Sequence, residues 1–155
     1  MLRKPAAARA PQNAATLSFA IVRSVYHGEL TQSMTDACIA TLVSAGVPRE
    51  NIDVYEAPGS WEVPLFAQRA LDTKRYDGVA AFGVIVKGET YHFDMIANEV
   101  ARALMSLSLA RKVPVALEVL AVMDIEQARV RAIGKHNKGT EAAGALLSSV
   151  AALNG

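Results

Sequence analysis

The run KGETYHFD, Lys87 to Asp94, puts a cation, a glycine, a hydroxyl and a histidine into one short stretch. Gly88 lets the backbone turn without a Cβ clash. The amides of Glu89 and Thr90 then become free donors where a helix begins, a natural place for an anion. Lys87 adds positive charge, and the Thr90 hydroxyl can cap the helix or donate to an oxygen. His92 falls in the first helical turn, close to any bound anion. Histidine ordinarily titrates near neutrality, which suits it to moving protons at pH 7. Alone, His92 would read as a surface histidine; the glycine turn and helix start around it favour chemistry.

A second group is PGSWEVP, Pro58 to Pro64, which holds the only tryptophan. Trp61 between a turn and a helix start offers a flat surface for a heteroaromatic ring, with Glu62 and nearby amides available to a polyol. Core packing is the competing reading of Trp61. Tyr26, beside His27, lies at the end of the first strand and can face Trp61 across a cleft. A third group is basic: Arg129, Arg131, Lys135 and Lys138 in ARVRAIGKHNKG. Such charges are ordinarily a solvated helix face, although Arg grips phosphate with a planar fork and Lys with a point charge. His27 and His136 have no acidic or histidine partner at metal-ligand spacing, so no metal site is expected. Without a P-loop or a G-x-G-x-x-G after a strand, no nucleotide cofactor is indicated.

The elements that must carry these groups alternate. LSFAIV (Leu17 to Val22) is an apolar run suited to a strand buried on both faces. Leu30, Met34, Cys38 and Leu42 make one helical stripe that stops at Gly46. IDVYEA (Ile52 to Ala57) is the second strand, and a helix from Trp61 to Asp72 should bury Leu65, Phe66 and Leu71. GVAAFGVIV (Gly78 to Val86) is apolar throughout and therefore central. Phe93, Ile96, Ala97, Val100, Leu104 and Leu107 share one face of a long helix. VPVALEVLAVM (Val113 to Met123) is the fourth strand. Asp124 and Gln127 have the spacing of a capping box opening a helix to about Ile133. Asn137 can cap a last helix that buries Ala143, Leu146, Leu147 and Val150. This order predicts a three-layer α/β/α sandwich, flavodoxin-like, with a four-stranded parallel sheet in the order 2-1-3-4. Ligands of such sheets bind beyond the carboxyl ends of the strands where the order reverses, here at Ser24 to His27 and Val86 to Thr90.

The bulk composition sets the limits. The 155 residues suffice for one domain. A hydrophobic fraction of 52% against 20% charged is high for a monomer, and no apolar run approaches the roughly 18 residues of a membrane span. The surplus therefore points to a subunit interface. A net charge of +1 gives no global field for nucleic acid or an anionic membrane. Cys38, the single cysteine, excludes an internal disulfide; as core filling it fits a reducing, cytoplasmic setting. Residues 1–15 form a separate zone of alanines with Arg3, Lys4 and Arg9, broken by Pro5 and Pro11. They are expected to be a flexible arm, leaving residues 16–155 as the domain.

GVIVKGETYHFDMIANEV (Gly83 to Val100) closely resembles the long motif of the lumazine synthases. PGSWEVP is similar to their turn after the second strand, and VPVALEVLAVMDIEQARVRA with NKGTEAA resembles a later segment. The four motifs are collinear, and the resemblance covers about Leu17 to Leu153. It implies an enzyme of riboflavin biosynthesis that condenses 5-amino-6-(D-ribitylamino)uracil with 3,4-dihydroxy-2-butanone 4-phosphate, without cofactor or metal. It further implies His92 as proton donor and shuttle, and a phosphate loop of Gly88, Glu89 and Thr90 closed by Arg131 and Lys138. Tyr26 would stack on the pyrimidine, Ser60, Trp61 and Glu62 would contact the ribityl chain and ring, and the main chain of Val84, Ile85 and Val86 would read the ring edge. Family members are at least pentamers in which a neighbouring subunit supplies the Leu117, Arg131 and Lys138 segments. In those that form shells, the N-terminal arm adds a strand to the neighbour. Pro5 and Pro11 would each remove a ladder donor from such a strand, so a free pentamer is expected.

The chain departs from the family pattern in places. Leu117 stands where an aromatic or polar side chain is common, Glu118 replaces a usual glycine, and Ala121-Val122 replace two threonines. The linker Ile133 to Asn137 is about one residue short, and Lys87 stands for a frequent arginine. The departures at Leu117 and Ala121-Val122 keep in view a paralogue that binds lumazine or flavin with little turnover; a third reading is a flavodoxin-like interaction module whose motifs serve packing.

Overall fold

The structure, a computed structural model, describes residues 11–154. Four strands, β1 (Phe19–Ser24), β2 (Ile52–Ala57), β3 (Gly78–Val86) and β4 (Val115–Val122), alternate with five helices. These are α1 (Gly28–Ser44), α2 (Val63–Thr73), α3 (His92–Arg111), α4 (Ile125–Ala132) and α5 (Lys138–Asn154). Every strand pairing is parallel and the sheet order is β2-β1-β3-β4, as expected.

Alternation along the central strands builds the two cores. Phe19, Ile21 and Phe82 face α1, α4 and α5, where they meet Met34, Leu42, Ala128 and Leu146. Ala20, Val22, Val79 and Ala81 face α2 and α3, against Val63, Ala67, Ala70, Val100 and Leu104. Small residues on this second face let the helices lie close to the sheet. Each large side chain fully buried in these layers contributes roughly 1.5–3 kcal/mol. Cys38 is fully buried in the first core, and burial pushes its thiol up to about 12, so it is an inert filler.

Three boundaries differ from expectation. β1 starts two residues later than the apolar run, and it also ends two residues later because Arg23 is held inside the ladder: its guanidinium reaches Glu56 on β2 at 2.9 Å and the Thr31 hydroxyl at 3.1 Å. β4 is shorter than Val113 to Met123, starting only after Pro114. In α2 the buried stripe is Val63, Ala67 and Ala70, while Leu65 is 64% exposed. Phe66 and Leu71 are partly buried, and Ser60–Glu62 is a separate 3-10 turn ahead of the helix. Residues 1–10 of the expected arm lie outside the described residues. Of its remainder, Pro11 and Ala14 are buried, and Ala14 belongs to the first core.

Candidate active site

The carboxyl ends of β1 and β3 and the turn after β2 enclose a cleft of about 580 Å³. Backbone bonds continue past the strands and tie its walls together. The Val25 amide donates to the Ala57 carbonyl at 2.7 Å, and the Tyr26 amide to the Pro58 carbonyl at 3.1 Å. The loop carrying Tyr26 is thereby fixed to the turn carrying Trp61. Both aromatics line the cleft and stay exposed, 68% for Tyr26 and 57% for Trp61. Core packing is thus not the role of Trp61.

The cleft floor is the end of β3. Val84, Ile85 and Val86 line it, and beside them sit Ser60 and Glu62. The Ser60 hydroxyl is the single buried side-chain oxygen or nitrogen with no hydrogen-bond partner among the described residues. It rests over Gly83, where an added Cβ would lie 2.5 Å from Ser60 Oγ, so only glycine leaves room for it. An unused buried hydroxyl beside a cleft is poised for a ligand's polar group. Glu62 Oε2 accepts the Gly59 amide at 3.1 Å and so holds the turn that presents Trp61.

His92 is the first residue of α3 and lines the same cleft. The loop before it departs from expectation in two respects. Gly88 has no left-handed φ, and a Cβ there would meet nothing within 4 Å, so no turn of this chain demands the glycine. It leaves open space above the loop instead. Thr90 does not cap α3; Tyr91 holds that position without a side-chain bond. The amides of Gly88, Glu89 and Thr90 have no protein acceptor among the described residues, as an anion-binding loop requires. Beyond Trp61 and His92 a second hollow of about 640 Å³ opens between Tyr91, Met95, Asn98 and Glu99.

The cleft also contains residues that were not named individually as site candidates, although His27 lies in the strand end singled out for ligands. His27 lies in the left-handed region (φ 54°) and packs edge-on against Tyr26, ring centroids 4.5 Å apart. Its place beside Tyr26 was the available signal. Ile96, one turn after His92 on the apolar face of α3, packs partly against the second core and also forms a wall of the cleft. Ile125, at the start of α4, had no signal in the sequence.

Leu117, Arg131 and Lys138 do not line this cleft. Leu117 is 45% exposed on β4. Arg131 donates to the Gln127 carbonyl at 2.8 Å, and Lys138 pairs with Glu141 at 2.6 Å. Glu118, next to this pair, has its carboxyl raised to about 7, first by burial and then by Glu141, with Lys138 opposing. Among the described residues no group of three or more His, Cys, Asp or Glu is placed to hold a metal, and no helix is long and apolar enough to cross a membrane.

The molecule is therefore a flavodoxin-like α/β protein with a cleft at the switch point of the sheet that pairs an aromatic-walled slot with a histidine at a helix start. Residues 16–154 match the family model for 6,7-dimethyl-8-ribityllumazine synthase, and the chain belongs to that family. Proteins of that name from three organisms are similar to it. The Gemmatimonas aurantiaca protein is 43% identical over 128 residues, 82% of this chain and 78% of the relative. That of Thermococcus onnurineus is 41% identical over 131 residues, 84% and 85% of the two chains. That of Pediococcus pentosaceus is 36% identical over 139 residues, 89% of each.

Proposed function

We propose that this chain condenses 5-amino-6-(D-ribitylamino)uracil with 3,4-dihydroxy-2-butanone 4-phosphate to 6,7-dimethyl-8-ribityllumazine, phosphate and water, the penultimate step of riboflavin biosynthesis. The observation that carries this reading is the shared cleft: His92 lines the same space as Tyr26, Trp61 and the end of β3. Tyr26 stacks on the pyrimidine, the main chain of Val84 to Val86 reads its edge, and Ser60, Trp61 and Glu62 take the ribityl chain. The open amides of Gly88, Glu89 and Thr90 hold the phosphate next to His92.

In this site the substrate amine attacks the ketone and water leaves to give an imine. A proton is then removed from carbon as phosphate departs, and ring closure expels a second water. Each step needs a proton delivered or taken, and His92 serves them in turn while the departing phosphate acts as a further base. Much of the acceleration comes from holding two substrates together. The residues present need neither metal nor cofactor for this sequence.

Leu117, Arg131 and Lys138 complete the site from a neighbouring copy in a homopentamer, Arg131 and Lys138 on the phosphate and Leu117 on the pyrimidine. The exposed Leu65, Tyr91, Met95, Met105 and Leu109 support burial of these faces between subunits. With Pro5 and Pro11 in the arm of residues 1–15, the assembly stops at a free pentamer. A cytoplasmic setting suits its reduced Cys38.

The test is to mix both substrates with purified protein and follow lumazine by its fluorescence, with His92→Ala as control. Product above the spontaneous background, slowed but still measurable in the variant, is expected. A variant at wild-type rate would remove His92 from the mechanism. No product from the intact protein would leave a ligand-binding paralogue.

A further inference from the structure

The linker between α4 and α5 is a small exposed loop whose two ends are buried. Ala132 is fully buried and Asn137 is 8% exposed, while residues 133–136 are exposed. One side chain joins these ends. Asn137 Nδ2 donates to the Ala132 carbonyl at 2.7 Å and reaches the Ser33 carbonyl and hydroxyl at 3.3 Å each. Its Oδ1 accepts the Gly139 amide at 2.8 Å. Ser33, on α1, adds a 2.6 Å bond from its hydroxyl to the same Ala132 carbonyl. Gly139 anchors the junction further, since a Cβ there would stand 1.9 Å from the Met34 carbonyl oxygen.

Arg131 is the residue before Ala132, and Lys138 is the residue after Asn137. A single buried amide therefore fixes the backbone beside both cations and ties it to α1. We propose that Asn137 and Ser33 are positioning residues that set the spacing of Arg131 and Lys138 for a phosphate ester. This inference rests on the phosphate-binding role given to those two cations above. The exposed loop between them has no other bracing of this kind: Gly134 is left-handed (φ 90°), and among the described residues no hydrogen bond is made by the side chains of Lys135 or His136. Two charges gripping one phosphate lose most when their separation becomes variable, because the ordering then has to be supplied on binding.

Asn137→Asp separates the two halves of the device. A carboxylate keeps an acceptor for the Gly139 amide but has no donor for the Ala132 carbonyl. Ser33→Ala removes the second bond and leaves Asn137 in place. Both variants would be assayed for the KM of each substrate and for kcat. Calorimetric titration with inorganic phosphate, thermal midpoint and assembly mass complete the comparison. In Asn137→Asp the KM for the butanone phosphate should rise roughly fivefold or more, with the KM for the pyrimidine changed less than about twofold. Phosphate binding should weaken in parallel, and Ser33→Ala should move the same way by less.

Unchanged phosphate binding and butanone phosphate KM in both folded variants would overturn the proposal. So would equal rises in both KM values alongside a lowered thermal midpoint, the mark of general loosening, or an intact protein that binds no phosphate. If the intact protein makes no lumazine yet binds phosphate, and Asn137→Asp weakens that binding, the positioning role stands and the functional reading falls.

Discussion

Ser60, in the turn after β2, packs against Gly83 on β3, and a side chain at 83 cannot be accommodated while the Ser60 hydroxyl keeps its place. Alanine at 83 would press on Ser60 Oγ at 2.5 Å and on Val119 Cγ1 at 3.3 Å. Gly83→Ala should therefore cost about 1–3 kcal/mol of stability and raise the KM for the pyrimidine substrate. Adding Ser60→Ala should return much of the stability but not the KM, which a double-mutant cycle with denaturation and steady-state kinetics would read. Glu118 gives a second test. Its folded-state carboxyl is raised from the ordinary 4.5 to about 7, so the folded chain holds that proton more tightly than the unfolded one. The destabilisation is absent below pH 4.5, grows as pH rises towards 7, and is complete above it. Glu118→Gln should make the protein more stable than the parent at pH 8, by about 1 kcal/mol after solvent screening, and no more stable at pH 4; urea denaturation at the two pH values checks this. At this scale the sequence was informative for most of the side chains that line the cleft, though not for Ile96 or Ile125. Tyr26, Ser60, Trp61, Glu62, Val84, Ile85, Val86 and His92 all meet there because strand ends place them, and strand ends can be read from apolar runs. The raised acid of Glu118 was not legible, since it depends on the burial of an edge strand against α5.

At the scale of elements, the approach of α5 to α1 is set by the missing side chain at Gly139. A Cβ there would collide with the Met34 backbone at 1.9 Å, and backbone cannot rotate away as a side chain can. Gly139→Ala should destabilise by more than about 3 kcal/mol or prevent soluble expression, which denaturation or yield would report. A cost under 1 kcal/mol would mean that the two helices slide apart freely. Helical stripes made of large apolar residues were legible: Leu30, Met34, Cys38 and Leu42 are all buried, as are Ala143, Leu146, Leu147 and Val150. The capping box of α4 was legible too. The Gln127 amide donates to Asp124, and the Met123 amide donates to the Gln127 side chain. The stripe of α2 was legible only in part: Phe66 and Leu71 pack partly buried against the core, but Leu65 is exposed and Val63, Ala67 and Ala70 carry the fully buried contact. β1 was misread because hydropathy alone cannot show that Arg23 finds Glu56 and Thr31 inside the ladder.

For the whole molecule, the proposed site is divided. Each chain builds the slot and His92, while Arg131, Lys138 and Leu117 lie outside that cleft and, in the function proposed above, serve the next copy around a ring. Nothing in the alternation of strands and helices distinguishes a residue that serves its own chain from one that serves its neighbour, so this division could be reached only through the family resemblance. The most direct test is activity in mixed assemblies of His92→Ala and Arg131→Ala chains, each impaired alone, combined by co-expression or by dissociation and reassembly. In an equimolar random ring, about one quarter of the sites join an intact His92 half to an intact Arg131 half. Lumazine formation at about that fraction of the wild-type rate, well above the mean of the two parents, is the predicted result. A mixture no more active than that mean would show that each chain works alone and would contradict the shared site.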